Sequence, residues 1–563
     1  MSFTPSSYQT AIFDWIREGR GDGVVKAVAG GGKTSTLVRA AQEHLSSFNS
    51  LFCAFNKHIA EELNSRLTGT GMQAKTIHSL GNGMLYRELG RTRIDNRKYS
   101  NLAKAHVERY GGALLYEERF PVRTAIKQLV DMARLTLTDP YDAMALRKMC
   151  RHFDIEIPDP MVFSSLPDLL EQGQRLARVG KLIDFTDMIY LPSAWKLKAK
   201  TFEWIFVDEC QDLNAAQLEL VLRLRGQGGR YLFVGDPNQA IMGFAGADDK
   251  AFYNIIDRTN ATVLPLSVSY RCPISHIKEA QKIVPEIQAA PGAKEGTILH
   301  ILRDDLEKSV QEGDLILCRL TAPLVAACIG LIKKKIPARV RGRDIGKGLI
   351  SMLEKVAALT GFTYQEVGRY LNKYKELQTA LLIDREADES LIQSLHDRIE
   401  CLEVCVANYP EAKNIKQLGY HIKQLFDDGR SSVWLSTVHR AKGLENDRVL
   451  ILKPHKLPLL WSSQIAWQKE QEYNLRYVAE TRSTDTMVYV HDKKVPGAAT
   501  VEEEEEAEAE EGFDFTGWQN DFKEIITRLE NHFDALPDND IQLRDTFKLA
   551  LKSYAQYIIK ETS

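Results

Sequence analysis

Three consecutive glycines, Gly30-Gly31-Gly32, followed by Lys33-Thr34, constrain this chain more than any other feature. Glycine is the poorest ordinary residue in a helix and offers a strand no side chain to pack, so the run has to be a turn. Before it stands the apolar Val24 to Val28, a pattern for a buried strand; after it comes a helical pattern through His44. A buried strand, a glycine turn and a helix make the opening of a parallel α/β unit. Bare backbone N–H groups in such a turn approach an anion closely, Lys33 adds a cation for the outer phosphates, and the Thr34 hydroxyl suits a magnesium ion. Ala27 stands where the generic loop has its first glycine, yet the Gly-Gly-Gly-Lys-Thr end carries the contacts. Ala29, Gly30, Gly31, Gly32, Lys33 and Thr34 are therefore the expected nucleotide-binding residues.

The same alternation of short β-branched or aromatic runs with helical patterns occurs in two places. Val24-Val25, Ser50 to Phe55, Trp204 to Asp208 and Tyr231 to Gly235 form one set. Thr297 to Leu302, Asp314 to Cys318, Val433 to Leu435, Arg448 to Leu452 and Thr486 to Val490 form the other. Two parallel-sheet cores are expected, each interrupted by helices. The first interruption, residues 83–180, carries Lys98, Lys104, Arg109, Arg119, Arg123, Lys127 and Arg134; the second covers 349–429. The expected order is a first core over 1–82 and 181–265, a second over 266–348 and 430–495, an acidic linker over 496–520, and a helical segment over 521–563.

Charge follows that division. The whole chain has 73 basic and 76 acidic residues, but 496–563 hold 6 basic and 17 acidic ones, leaving the preceding residues with an excess of eight positive charges. A basic body suits a polyanionic partner. The run Glu502 to Glu506 reads as a solvated linker, as a mimic of that polyanion, or as bait for a basic partner. Phe522, Ile525, Ile526, Leu529 and Phe533 have helical spacing and are expected to dock on a protein. Of eight cysteines only Cys401 and Cys405 stand close, four apart on a helical pattern, so no pair of close pairs exists to make a zinc site and they read as buried thiols. The most apolar stretch, Leu320 to Ile332, is too short for a bilayer, and Met1 to Thr4 do not open a secretion signal, so a cytoplasmic or nuclear location is expected, neither secreted nor membrane-bound.

Two further strand ends carry chemistry. Asp208 and Glu209 follow Ile205-Phe206-Val207, where the first carboxylate of a phosphate-loop enzyme holds Mg²⁺ and the second orients or deprotonates the attacking water. Gln239, in Asp236-Pro237-Asn238-Gln239, is placed to meet a γ-phosphate and its water, although the same residues make a good surface turn.

Together these segments resemble the UvrD/Rep family of superfamily 1 DNA helicases over most of residues 1–495. Tyr8-Gln9 is similar to the family's adenine-reading motif and Ala27 to Thr34 to its variant phosphate loop. Phe55-Asn56-Lys57 resembles the first DNA-contact motif without its usual threonine, and Thr76-Ile77-His78-Ser79 the one after it. Asp208 to Asp212, Gly235 to Ile241, Ser269-Tyr270-Arg271, Ser436 to Glu445 and Tyr477 to Arg482 follow in the family's order. The resemblance implies two RecA-like motor domains with ATP and Mg²⁺ between them. It implies that Gln9 reads adenine, Tyr270 stacks on it, Gly443 and Glu445 approach the nucleotide, and Arg271 and Arg482 act as arginine fingers. It implies DNA contacts at Phe55, Asn56, Thr76, His78, Phe244, Thr437 and His439. Phe244 stands where the family has tryptophan, and Ala245 where it has arginine. The implied activity is 3′→5′ movement on single-stranded DNA with unwinding of tailed duplexes, in replication, repair or recombination. A translocase that strips proteins from DNA, and a nucleotide-switched binding module without sustained turnover, are the other two readings.

Overall fold

A computed structural model describes residues 5–492 except 46, 116–117, 154, 156, 244–249, 385–388, 428, 430 and 463. The acidic linker, the C-terminal segment and Phe244 lie outside the described residues. Residues 1–493 form one compact unit.

Two six-stranded sheets dominate that unit. The first contains β1 (Gly23–Ala27), β2 (Ser50–Ala54), β3 (Gln73–Thr76), β4 (Phe202–Val207), β5 (Arg225–Gly235) and β6 (Thr262–Leu266), in the order β3-β2-β4-β5-β1-β6. The second contains β7 (Thr297–Leu302), β8 (Leu315–Cys318), β9 (Ala338–Val340), β10 (Val433–Thr437), β11 (Asn446–Leu452) and β12 (Ser483–His491), in the order β7-β12-β11-β8-β10-β9. Every pairing in both sheets is parallel. Parallel strands need crossovers, and the helices that supply them cover both faces; β2 and β8 are buried along their whole length. β3, β6 and β9 are absent from the strands expected above: their exposed or charged residues, such as Lys75, Thr262 and Arg339, interrupt the apolar pattern at sheet edges.

The helices of 83–180 build a core of their own around Tyr99, Ile126, Leu129, Leu146 and Leu166. Helix Ile77–Leu89 crosses the expected boundary at residue 83. The helices of 349–429 instead share one apolar cluster with the second sheet, Leu371, Leu402 and Ile422 packing with Ile316, Val325 and Leu450.

Two of the cations noted in the first insertion are unavailable to any polyanion. Lys98 and Arg134 are fully buried, Lys98 bonded to Asp187 at 2.5 Å and Arg134 to Asp184 at 2.8 Å and Asp187 at 3.1 Å. The Arg134 guanidinium lies 3.8 Å from the centre of the Tyr99 ring. Charges that deep survive only when paired, so they fasten the insertion to helix Asp187–Ala194.

Candidate nucleotide and nucleic-acid site

β1 lies between β5 and β6, with β4 beyond β5, so the C-terminal ends of β1, β4 and β5 bring the three sequence-predicted loops side by side. They open into a cleft of about 1180 Å³ whose walls come from both sheets. Gly30, Gly31, Gly32, Lys33, Thr34, Asp208, Glu209 and Gln239 line it from the first core, Thr437, His439, Gly443, Glu445 and Arg482 from the second, and Tyr270 and Arg271 from the segment joining them.

The loop has the backbone that its glycines allow. Gly30 and Gly32 sit at φ 70° and 75°, and a Cβ on Gly30 would stand 2.6 Å from both Arg271 Cβ and Ser269 Oγ. Gly32 precedes helix Lys33–His44, whose first residues Lys33, Thr34 and Ser35 line the cleft, and the N–H groups of a first turn have no partner within the helix. Lys33 Nζ rests 3.2 Å from Glu209 Oε1. Burial opposes its charge, but Glu209, Asp236 and Asp208 more than offset that and raise its pKa.

Asp208 accepts from Thr34 Oγ1 at 3.1 Å and from the Glu209 N–H at 2.9 Å. Burial, followed by the neighbouring Glu209, pushes the Asp208 carboxyl upward. Glu209 goes the other way: burial disfavours its charge, yet Lys33, Lys442 and the Gln211 amide hold it well below the usual carboxylate range. Glu209 is a non-glycine residue at φ 50°, held in the left-handed region at the strand end where strain commonly marks a working site. A hydroxyl and a carboxylate 3.1 Å apart are a hard-oxygen pair of the kind that holds Mg²⁺ alongside phosphate and water. Among the described residues no group of three or more His, Cys, Asp or Glu forms an all-protein metal cage.

Other expected residues are placed as follows. Gln9 is buried and donates to Thr36 Oγ1 at 2.9 Å, which in turn donates to Gly32 O at 2.9 Å, so it braces the loop from behind without lining the cleft. The Ala29 N–H does not face the cleft, because it donates to the Tyr477 hydroxyl at 2.8 Å. The Tyr270 N–H donates to Gly30 O at 2.9 Å while its ring stays half-exposed. Glu445 takes Arg271 Nε at 2.7 Å. Arg482 is almost fully buried and donates to Val478 O, Leu444 O and Thr481 Oγ1, all in its own core. Burial and then Arg271 bring its pKa down to about 10, so it keeps its charge.

Of the residues expected on DNA, Phe55 is 49% exposed and lines the cleft with Asn56, Thr437 and His439. Asn56 and Thr76 cap helices, accepting from Ile59 N at 2.9 Å and Ser79 N at 3.1 Å. Burial, then Arg319, drives the His439 pKa down to about 3, so its imidazole is neutral. His78 meets the exposed ring of Phe185 edge-on, with centroids 6.2 Å apart. Phe185 was not anticipated; the signal would have been an aromatic beside two acids in Asp184-Phe185-Thr186-Asp187.

Sequence reasoning also missed what joins the cores. Lys442 donates to Asp212 at 2.7 and 2.6 Å and to Gln239 O at 2.5 Å. Asn474 donates to Ala240 O at 3.1 Å, and Ile241 is buried in the apolar cluster of the second core.

Comparison with known proteins agrees with this architecture. The UvrD/REP helicase N-terminal domain model matches residues 10–260. ATP-dependent DNA helicase PcrA of Bacillus subtilis is 28% identical over 289 residues, 46% of this chain and 37% of that protein. F-box DNA helicase 1 of Gallus gallus is 24% identical over 506 residues, 82% of this chain and 46% of that protein. F-box DNA helicase protein 1 of Schizosaccharomyces pombe is 24% identical over 512 residues, 82% of this chain and 55% of that protein. The chain thus spans only about a third to a half of the length of the relatives it matches. Two parallel sheets meeting at a cleft lined by the ordered motifs accompany these likenesses, and over residues 10–260 the chain is similar to the N-terminal domain of UvrD/REP helicases.

Proposed function

We propose that this protein is an ATP-driven motor that moves 3′→5′ on single-stranded DNA and unwinds tailed duplexes. The observation that carries the reading is the single cleft in which Lys33, Thr34, Asp208, Glu209 and Gln239 of one core face Thr437, His439, Gly443 and Arg482 of the other. A nucleotide bound there touches both cores, so its hydrolysis and release change the free energy of their closure.

The geometry supports a specific division of labour. Lys33 and the amides of Gly30, Gly32, Lys33 and Thr34 hold the β- and γ-phosphates, the Gly31 N–H being spent on Val28 O at 3.1 Å. Incoming phosphate oxygens compete with Glu209 for Lys33, which frees the carboxylate. Thr34 and Asp208 would hold Mg²⁺, which would neutralise negative charge on the phosphates. Glu209, kept ionised by its cations, accepts the proton of the attacking water as the water oxygen bonds to the γ-phosphorus and the ADP oxygen leaves. Gln239 orients that water. Arg271, released from Glu445, and Arg482 neutralise charge building on the transferred group. Phe55 supplies a stacking face for a base, a contact worth ~1–3 kcal/mol, and the N–H and hydroxyl groups around Thr437 hold the phosphodiester backbone.

Names of the relatives support DNA as the track. The test is ATP turnover with and without single-stranded DNA, followed by strand displacement on 3′- and 5′-tailed duplexes, with Lys33→Ala as the inactive control. Turnover without strand displacement would favour a protein-stripping translocase, and nucleotide binding without DNA-stimulated turnover would favour a switch and defeat the motor reading.

A further inference from the structure

Helix Ala466–Glu480 of the second core presents Asn474 and Tyr477, three residues apart and hence on one face, to the nucleotide-side loops of the first. Both are buried. Tyr477 is packed among Val28, Ala29, Cys272 and Ile277, at the base of the glycine loop. Its hydroxyl accepts the Ala29 N–H at 2.8 Å and donates to Asp236 Oδ2 at 3.3 Å. Asp236 in turn accepts from Gln239 Nε2 at 2.7 Å and from the Asn238 N–H at 3.0 Å. The Gln239 carbonyl takes Lys442 Nζ at 2.5 Å, and Lys442 follows Thr437 and His439 on the far wall of the cleft.

A continuous set of buried polar contacts therefore runs from the phosphate loop through Tyr477, Asp236 and Gln239 to Lys442. Ala29 is fully buried, and a buried N–H without a partner costs more than a hydrogen bond normally contributes. Its partner comes from the other core. Whenever the cores part, the loop must re-satisfy that amide, so loop conformation and core closure are linked by a single hydroxyl.

We propose that Tyr477, supported by Asn474, is the positioning residue through which nucleotide occupancy and single-stranded DNA binding are coupled. This rests on the motor reading above. Tyr477 touches no reacting atom; it sets where Ala29 and Asp236 sit relative to the second core. Because coupling between two ligands is reciprocal, one number measures it: the factor by which a non-hydrolysable ATP analogue changes the affinity for a single-stranded oligonucleotide.

The experiment measures that factor by fluorescence anisotropy for the wild type, Tyr477→Phe, Asn474→Ala and Tyr489→Phe. Tyr477→Phe keeps the ring and removes only the hydroxyl. Tyr489→Phe is the control, since it removes another buried hydroxyl of the second core, bonded to Glu480 at 2.9 Å. The expected result is a factor about fivefold or more closer to one in Tyr477→Phe, a smaller move in the same direction in Asn474→Ala, and the wild-type factor in Tyr489→Phe. If Tyr477→Phe does not fold, Asn474→Ala decides by itself. A wild type whose DNA affinity ignores the nucleotide defeats the motor reading. A coupled wild type with equally coupled Tyr477→Phe and Asn474→Ala overturns the relay alone, as does an equal loss in Tyr489→Phe.

Discussion

Replacing Lys442 by methionine removes one partner of a buried ion pair that joins the two cores. The Lys442 side chain is 11% exposed and that of Asp212 2%, so water cannot take over the carboxylate. Removing one member of such a pair costs about 3–5 kcal/mol, because it leaves an uncompensated buried charge. At ~2–4 °C per kcal/mol for a body the size of one core, the melting temperature should fall by about 6–20 °C. The loss should also depend on pH. Burial already pushes Asp212 up to about 6 against the pull of Lys442, and without that pull it rises further. In the variant the folded state then keeps a proton that the unfolded chain releases near its ordinary carboxylate pKa. Stability of the variant therefore falls as pH rises towards the folded pKa, and the deficit should be larger at pH 8 than at pH 6. Adding Asp212→Asn removes the stranded charge, so the double variant should be more stable than Lys442→Met by about 1–3 kcal/mol. Calorimetry of the wild type, both single variants and the double variant at the two pH values reads all of this. Strictly additive losses, or a deficit that ignores pH, would refute the reasoning.

Gly30→Ala should be folded but poor at holding nucleotide. A left-handed alanine costs ~1–2 kcal/mol, and its Cβ meets Arg271 Cβ, which cannot move without its backbone. Affinity for a fluorescent ATP analogue should drop about tenfold or more, and unchanged affinity would contradict the close approach. Glu209→Gln should bind ATP yet lose about 10²–10⁴-fold in turnover, measured by phosphate release in the presence of single-stranded DNA; near-normal turnover would remove Glu209 from its role. Arg482→Ala should also abolish turnover, and circular dichroism must be compared alongside because Arg482 bonds three groups of its own core. His439, neutral in the fold and ordinary when unfolded, contributes stability that is present above pH 6.5 and lost as pH falls towards 3. His439→Asn should recover about 2 kcal/mol of the loss between pH 7.5 and pH 5, measured by urea unfolding, and an unchanged acid limb would show that the imidazole titrates normally.

Much of the candidate nucleotide site was legible because its signals are local. A buried strand, three glycines, a lysine and a helix lie within about twenty residues, and each local preference agrees with the others. Asp208 and Glu209 were less local: a buried strand that ends in acids is common in α/β domains, and only its pairing with the Lys33 loop gave it meaning. Parallel sheets followed from alternation alone, whereas β3, β6 and β9 were lost because edge strands need no continuous apolar run. Lys98 and Arg134 show the limit in the other direction. Their charge in the sequence suggested a polyanion, and only tertiary packing turned them inward onto Asp184 and Asp187.

The amino-acid order determined the two α/β cores, the phosphate loop and the strand-end acids, since each depends on residues close along the chain. It did not determine that Tyr477 would meet Ala29, or that Lys442 would meet Asp212, pairs separated by 448 and 230 positions. Nor did it determine that Arg482 would be buried among carbonyls of its own core. The first two contacts exist only after the second sheet has been set against the first, and those of Arg482 only after its own core has packed. Their partners are chosen by topology and burial, because a buried amide or carboxylate must take the donor or acceptor that the packed neighbour happens to bring.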